Sequence, residues 1–127
     1  MRSLVLVVLC SLFCLSADPS RAEKRVALVI GVSEYQQAPR LPNPARDAEA
    51  MTNLFMRAGF DIVQSRRDLG IVDLRRAIRE FSETSRDADI SVVYYAGHGI
   101  EVDGVNYLVR ADARLVSDFD VEDETIS

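Results

Sequence analysis

Apolar positions along the chain change their spacing several times, and each change marks an element. Arg25-Val26-Ala27-Leu28-Val29-Ile30-Gly31 is a continuous apolar run closed by glycine, which predicts a strand buried on both faces. Val32 to Asn43 is polar and punctuated by Pro39 and Pro42, the pattern of a loop. From Pro44 the spacing turns helical: Ala45, Ala48, Met51, Leu54, Phe55 and Ala58 share one face, and Gly59 is placed to stop the helix. Phe60 to Gln64 reads as a short second strand. Asp68 to Asp87 carries a second amphipathic pattern, with Ile71, Leu74, Ile78 and Phe81 inward and Arg75, Arg76, Arg79, Glu80 and Glu83 on the wet side. Asp89 to Ala96 is a third strand, rich in β-branched and aromatic residues. Ile100 to Val109 predicts a hairpin turning on Asp103-Gly104. Arg110 to Ser127 is acidic and weakly patterned. Strand, helix, strand, helix, strand in that order predicts an α/β domain, its parallel sheet flanked by helices through right-handed crossovers.

The amino end departs from this plan. Met1-Arg2 is basic, Leu4 to Leu15 is nearly unbroken apolar sequence, and small residues follow. This is the layout of a secretory signal peptide, with Ser20-Arg21-Ala22 the preferred cleavage site and Leu15-Ser16-Ala17 the alternative. The run is short for a permanent span, so an uncleaved anchor is the lesser reading. Neither Cys10 nor Cys14 follows a small residue, which argues against lipidation. The expected division is therefore a signal peptide over 1–22 and one domain over 23–127, exported to a periplasmic or extracellular compartment.

Removing the leader takes Asp18, Arg2 and Arg21 with it and moves the formal charge from −5 to −6. The arginines lie scattered among carboxylates rather than in a stripe, which disfavours nucleic acid as a partner. Both cysteines of the sequence, Cys10 and Cys14, fall in the leader. The mature chain is then left with no disulfide, no thiolate metal site and no sulfur nucleophile of its own.

The chemistry narrows to one residue. His98 is the single histidine of the sequence and stands between Gly97 and Gly99, just past the third strand. Ligands of open α/β sheets bind beyond the carboxyl ends of strands, and glycine neighbours let a backbone approach closely. A lone histidine is more often structural, but this placement favours function. Other chemistries fail on spacing. Gly31-Val32-Ser33-Glu34-Tyr35 lacks the second glycine of a nucleophile elbow. There is no P-loop and no dinucleotide fingerprint, and a metal site on His98 has no second histidine to support it.

Arg25 to Gly31, Leu41-Pro42-Asn43-Pro44-Ala45-Arg46-Asp47-Ala48 and Tyr94-Tyr95-Ala96-Gly97-His98-Gly99 together resemble the large-subunit region of the caspase-like cysteine peptidases. The nearest group in these motifs is the secreted bacterial metacaspase-like or orthocaspase proteins, and Asn106 to Ala113 is similar to the segment that follows the histidine there. The resemblance covers roughly residues 24–127. It implies a caspase-like three-layer α/β/α sandwich with a mostly parallel sheet, present in part. It implies that His98 is the catalytic histidine of a Cys-His dyad and that the Gly99 N–H is an oxyanion donor, a group whose loss costs about 3 kcal/mol of barrier. It implies that Asp47 lines a pocket for Arg or Lys before the scissile bond; the competing reading is a first-turn carboxylate favoured by the helix dipole. A cysteine common in metacaspases is Pro44 here, which weakens the pocket analogy.

The nucleophile is the main departure. In caspases it follows the histidine by about 50 residues, which from His98 falls past Ser127, with an intervening strand. Two function classes follow. One is the histidine-bearing part of a secreted cysteine endopeptidase acting on protein or peptide substrates; the other is a non-catalytic interaction or regulatory module. An unrelated ligand-binding doubly wound domain is a weak third. No cofactor is expected: calcium dependence is known in the family, but the carboxylates from Asp112 to Glu124 read as a solvated tail. Without a further strand, Ile90 to Tyr95 is expected to form an open apolar edge that invites self-association.

Overall fold

The computed structural model describes residues 23–115 and 120–127, so the leader expected over 1–22 lies outside the described residues. Strands β1 (Arg25–Gly31), β2 (Ile62–Arg67) and β3 (Ile90–Ala96) form a parallel sheet in the order β2-β1-β3. Helix α1 (Pro44–Arg57) joins β1 to β2 and helix α2 (Ile71–Thr84) joins β2 to β3. From Val26 on, the central strand is apolar without interruption because both its faces are covered. Val26, Leu28 and Ile30 pack with Leu74 and Phe81 of α2, while Ala27 and Val29 pack with Ala48 and Phe55 of α1. Helix, sheet and helix are thus three layers, as the alternation of elements implied.

Two aspartates set the register. Asp61 and Asp89 stand just before β2 and β3. The Asp61 carboxylate accepts from Arg25 N (2.8 Å) while its own N–H donates to Arg25 O. Asp89 makes the same reciprocal pair with Lys24. Each flanking strand is so fixed against the start of β1 that a one-residue slip would break two hydrogen bonds and turn its apolar face outward.

Helix α1 starts at Pro44 and stops at Gly59 as expected, whereas β2 and α2 depart from the sequence expectation for local reasons. Helix α1 stops in a Schellman arrangement: Phe60 N donates to Phe55 O and Gly59 N to Met56 O, with Gly59 at φ +79° and the Phe55 and Phe60 rings 4.8 Å apart. Phe60 therefore belongs to the helix stop and not to a strand, and β2 runs Ile62–Arg67 instead of Phe60–Gln64. Its last four residues, Gln64-Ser65-Arg66-Arg67, are polar because β2 is an edge strand. Leu54, placed on the inner face of α1 by periodicity, is 46% exposed. Helix α2 begins at Ile71 rather than Asp68, because Asp68 adopts φ +50° and turns its carboxylate to the loop after β1.

A second, antiparallel sheet follows in the order β4-β5-β6, from β4 (Gly99–Val102), β5 (Val105–Val109) and β6 (Thr125–Ile126). The hairpin turn has Asp103 at φ +49° and Gly104 at φ +79°, the double left-handed geometry that matches strand twist.

Asp112 and Glu124 depart from the solvated-tail expectation. A short helix α3 (Val121–Glu124) and β6 fold back on β5. Arg110 is 6% exposed. Its Nη2 donates to Glu124 Oε2 at 2.6 Å, and its Nε lies 2.7 Å from Asp112 Oδ1 without hydrogen-bond alignment. Asp112 in turn accepts from Ile71 N at the start of α2 (3.2 Å). These carboxylates hold a buried cation and a helix terminus.

Candidate active site

The loop after β1 is built to hold the amino end of α1 and to reach β3. Asp68 Oδ1 accepts from Ser33 N (2.7 Å) and Glu34 N (2.9 Å). Ser33, 2% exposed, accepts at Oγ from Ala45 N and so caps α1 from outside the helix, since the Asn43 side chain is engaged by Arg46. Gly31 is obligatory at this junction: a Cβ there would stand 2.7 Å from Pro44 O and 2.8 Å from the Ala48 Cβ. The first turn of α1 therefore rides directly on the carboxyl end of β1. Gly31 pairs with Ala96 in the sheet, which brings that turn to the same end as the close of β3.

His98 follows β3 by two residues and is half-buried. Its backbone N–H donates to Tyr35 Oη at 2.7 Å, and the Tyr35 ring lies against the imidazole with centroids 4.7 Å apart. Tyr35 Oη is 3.3 Å from Tyr95 Oη, and Tyr95 Oη faces the carbonyls of Val109 (2.7 Å) and His98 (3.0 Å). Carbonyls only accept, so Tyr95 shares its one proton between them, Val109 O being the nearer, and Tyr35 donates to Tyr95. Burial, the largest cause, pushes the Tyr95 phenol well above the ordinary tyrosine value. Of the two imidazole nitrogens, Nε2 is buried without a hydrogen-bond partner.

The two glycines beside the imidazole have different reasons. At Gly97 a Cβ would overlap Tyr95 Oη and stand 2.6 Å from Tyr35 Oη, so glycine there makes room for the hydroxyls. At Gly99 a Cβ would meet Tyr107 O at 3.7 Å, an ordinary contact. What distinguishes Gly99 is its amide. Val109 N donates to His98 O, and Gly99 is opposite Leu108. That makes Gly99 and Leu108 a non-hydrogen-bonded pair, so the Gly99 N–H points away from β5, off the open edge of β4.

Asp47 is in the first turn of α1 and exposed, at the same end of the sheet as His98. No hydrogen bond joins the two among the described residues. Its position suits either the helix dipole or a ligand at that sheet end. Among the described residues, no group of three or more His, Cys, Asp or Glu could hold a metal ion, and no helix is long and apolar enough to cross a membrane.

Sequence reasoning missed Tyr35, Tyr95 and Asp68. Tyr35 counted only as the residue that spoils a serine elbow, and Tyr95 as one more aromatic in a strand. Pairings such as Tyr35 with His98, 63 residues apart, leave no local periodicity to read.

Fold and site together define an open α/β/α domain with an imidazole and a turned-out amide at the carboxyl end of its parallel sheet. The family model of the caspase domain matches residues 24–124, a span that contains Asp47, His98 and Gly99. Mucosa-associated lymphoid tissue lymphoma translocation protein 1 of Homo sapiens is 36% identical over 98 residues, covering 77% of this chain and 12% of that protein. Its Mus musculus homolog is 36% identical over 92 residues, 72% of this chain and 11% of the homolog. This chain belongs to the caspase domain family, and it spans about an eighth or less of the length of these curated relatives.

Proposed function

We propose that this chain is the histidine-bearing part of an exported cysteine endopeptidase of the metacaspase-like type, acting on protein or peptide substrates. The observation that carries the reading is the placement of His98 beside an amide, Gly99 N–H, that the hairpin ladder leaves uncommitted. In this reading the nucleophile is a cysteine supplied from outside residues 23–127, which contain none. The imidazole takes the thiol proton as sulfur adds to the scissile carbonyl. The Gly99 N–H donates to the oxyanion that forms. The imidazolium then gives its proton to the leaving amine as the C–N bond breaks, and water hydrolyses the thioester. Nε2 is enclosed, so the proton passes through Nδ1. Asp47 selects Arg or Lys before the cut by a charge-assisted hydrogen bond. Neither calcium nor another cofactor enters these steps.

The test extends the chain beyond Ser127 with a strand and a cysteine-bearing turn and measures cleavage of peptides ending in Arg, Lys or Asp. Turnover that disappears in His98→Ala and prefers basic residues supports the reading. Turnover unchanged by His98→Ala removes the dyad, and Asp47→Ala that keeps the basic preference returns Asp47 to a helix-dipole role.

A second reading, a non-catalytic module that pairs with a partner or with its own copy, is favoured by the edge of β3. β3 is an outer strand of its sheet, with Ile90 39% and Val93 56% exposed. Sedimentation that shows a concentration-dependent dimer, dissolved by Val93→Lys, supports it; a monomer throughout removes it. Neither reading involves nucleic acid.

A further inference from the structure

The hydroxyls of Tyr35 and Tyr95 close a hydrogen-bond circuit on a single residue. It runs from His98 N–H to Tyr35 Oη (2.7 Å), from Tyr35 O–H to Tyr95 Oη (3.3 Å), and from Tyr95 O–H back to His98 O (3.0 Å). Its direction is fixed at both ends, since an amide N–H only donates and a carbonyl only accepts. The same Tyr95 hydroxyl reaches Val109 O, and Val109 N donates to His98 O, so the far strand of the hairpin is tied to the same point.

Three further observations show that the arrangement is specified. Gly97 admits no Cβ, because the two hydroxyls occupy that space. Tyr35 also lies against the imidazole itself, 4.7 Å between centroids. The loop that carries Tyr35 is held two residues upstream by Asp68, whose carboxylate accepts from Ser33 N and Glu34 N. Both backbone polar groups of His98 and one face of its ring are thereby fixed.

We infer that Tyr35 and Tyr95 are positioning residues for the His98 imidazole: they hold the backbone and ring plane of the histidine while the reacting nitrogen stays free. This rests on the dyad reading above for its consequence in catalysis, but the positioning itself is measurable without turnover. A misplaced base loses rate even when binding is intact, and a shift of about 1 Å can cost on the order of a hundredfold.

The single histidine makes the first measurement direct. The chain, labelled with nitrogen-15, gives one set of imidazole signals, and the exchange rate of the His98 amide is read from the same sample. Tyr35→Phe keeps the ring contact and removes the acceptor. The expected result is a loss of about tenfold or more in His98 amide protection, with the imidazole signals shifted as the ring leaves its fixed environment. Tyr95→Phe, which opens the circuit at its other end, should shift the same signals by less. Tyr94→Phe, on the opposite face of β3, should shift neither. Protection and imidazole signals unchanged in both Tyr35→Phe and Tyr95→Phe would overturn the inference. If Tyr35→Phe unfolds, Tyr95→Phe alone decides by the same two signals.

The second measurement uses the cysteine-bearing extension. There Tyr35→Phe should lower kcat about tenfold or more with KM held within about twofold, the pattern of a lost orientation. An unchanged kcat would overturn the catalytic consequence. Failure of the dyad reading looks different: turnover then survives His98→Ala, whatever the spectra show.

Discussion

Leu28 and Arg110 are both buried, at 0% and 6% exposure, yet they hold their neighbourhoods together in opposite ways. Leu28 sits in the middle of β1, and its partners Val26, Ile30, Leu74 and Phe81 are apolar. Such contacts are non-directional, so several similar side chains would serve. Arg110 lies between Asp112 and Glu124: its Nη2 donates to Glu124 Oε2, which also accepts from Arg114 N, and Asp112 accepts from Ile71 N. The first region specifies itself by pattern. The second specifies itself by pairing, and tolerates the loss of a partner poorly because a charge is left behind.

The largest test of that contrast is Leu28→Ala. Removing a fully buried side chain from between the sheet and α2 should cost roughly 2–5 kcal/mol in urea unfolding. Leu28→Met should recover most of it, as volume rather than identity is at stake. Arg110→Ala should cost about 3 kcal/mol, the low end for a broken buried pair, since its carboxylates keep some solvent contact. Unlike Leu28, Arg110 should not be rescued by an apolar replacement of similar size, and recovery with Arg110→Met would collapse the distinction.

Smaller effects sharpen it. Ser33→Ala removes the acceptor for Ala45 N and should cost about 1 kcal/mol, read as a lower urea midpoint at unchanged slope. The smallest is a matter of pH. Tyr95 stays protonated in the folded chain beyond the pH at which an unfolded tyrosine ionises, about 10. The unfolded state then binds fewer protons, so stability falls as pH rises above that value. Tyr95→Phe should flatten the alkaline fall and leave the pH dependence below about pH 9 unchanged, since the phenol is protonated in both states there; an identical alkaline slope in parent and variant would deny the buried phenol its part.

The same contrast explains what could be read from the chain alone. Periodicity located β1, α1, α2, β3 and the hairpin, because each buries an apolar face that repeats locally. It set β2 too early, because the polar part of an edge strand carries no such signal, and it took the carboxylates from Asp112 to Glu124 for a solvated tail. Arg110, Asp112 and Glu124 look like ordinary surface charges until the fold brings them together. At the site, the glycines beside His98 drew attention to the right place. Yet the reason for Gly97, room for two hydroxyls from Tyr35 and Tyr95, lies in residues that no spacing rule connects.

The two helices also differ in when their caps arrive. Ser33, which serves α1, stands 12 residues before the amide it accepts from. A chain made from its amino end therefore presents that cap before the helix exists. Asp112, which serves α2, stands 41 residues after Ile71. During synthesis α2 emerges 41 residues ahead of the carboxylate that accepts from its first amide, which water must serve until the hairpin and Asp112 have followed it out.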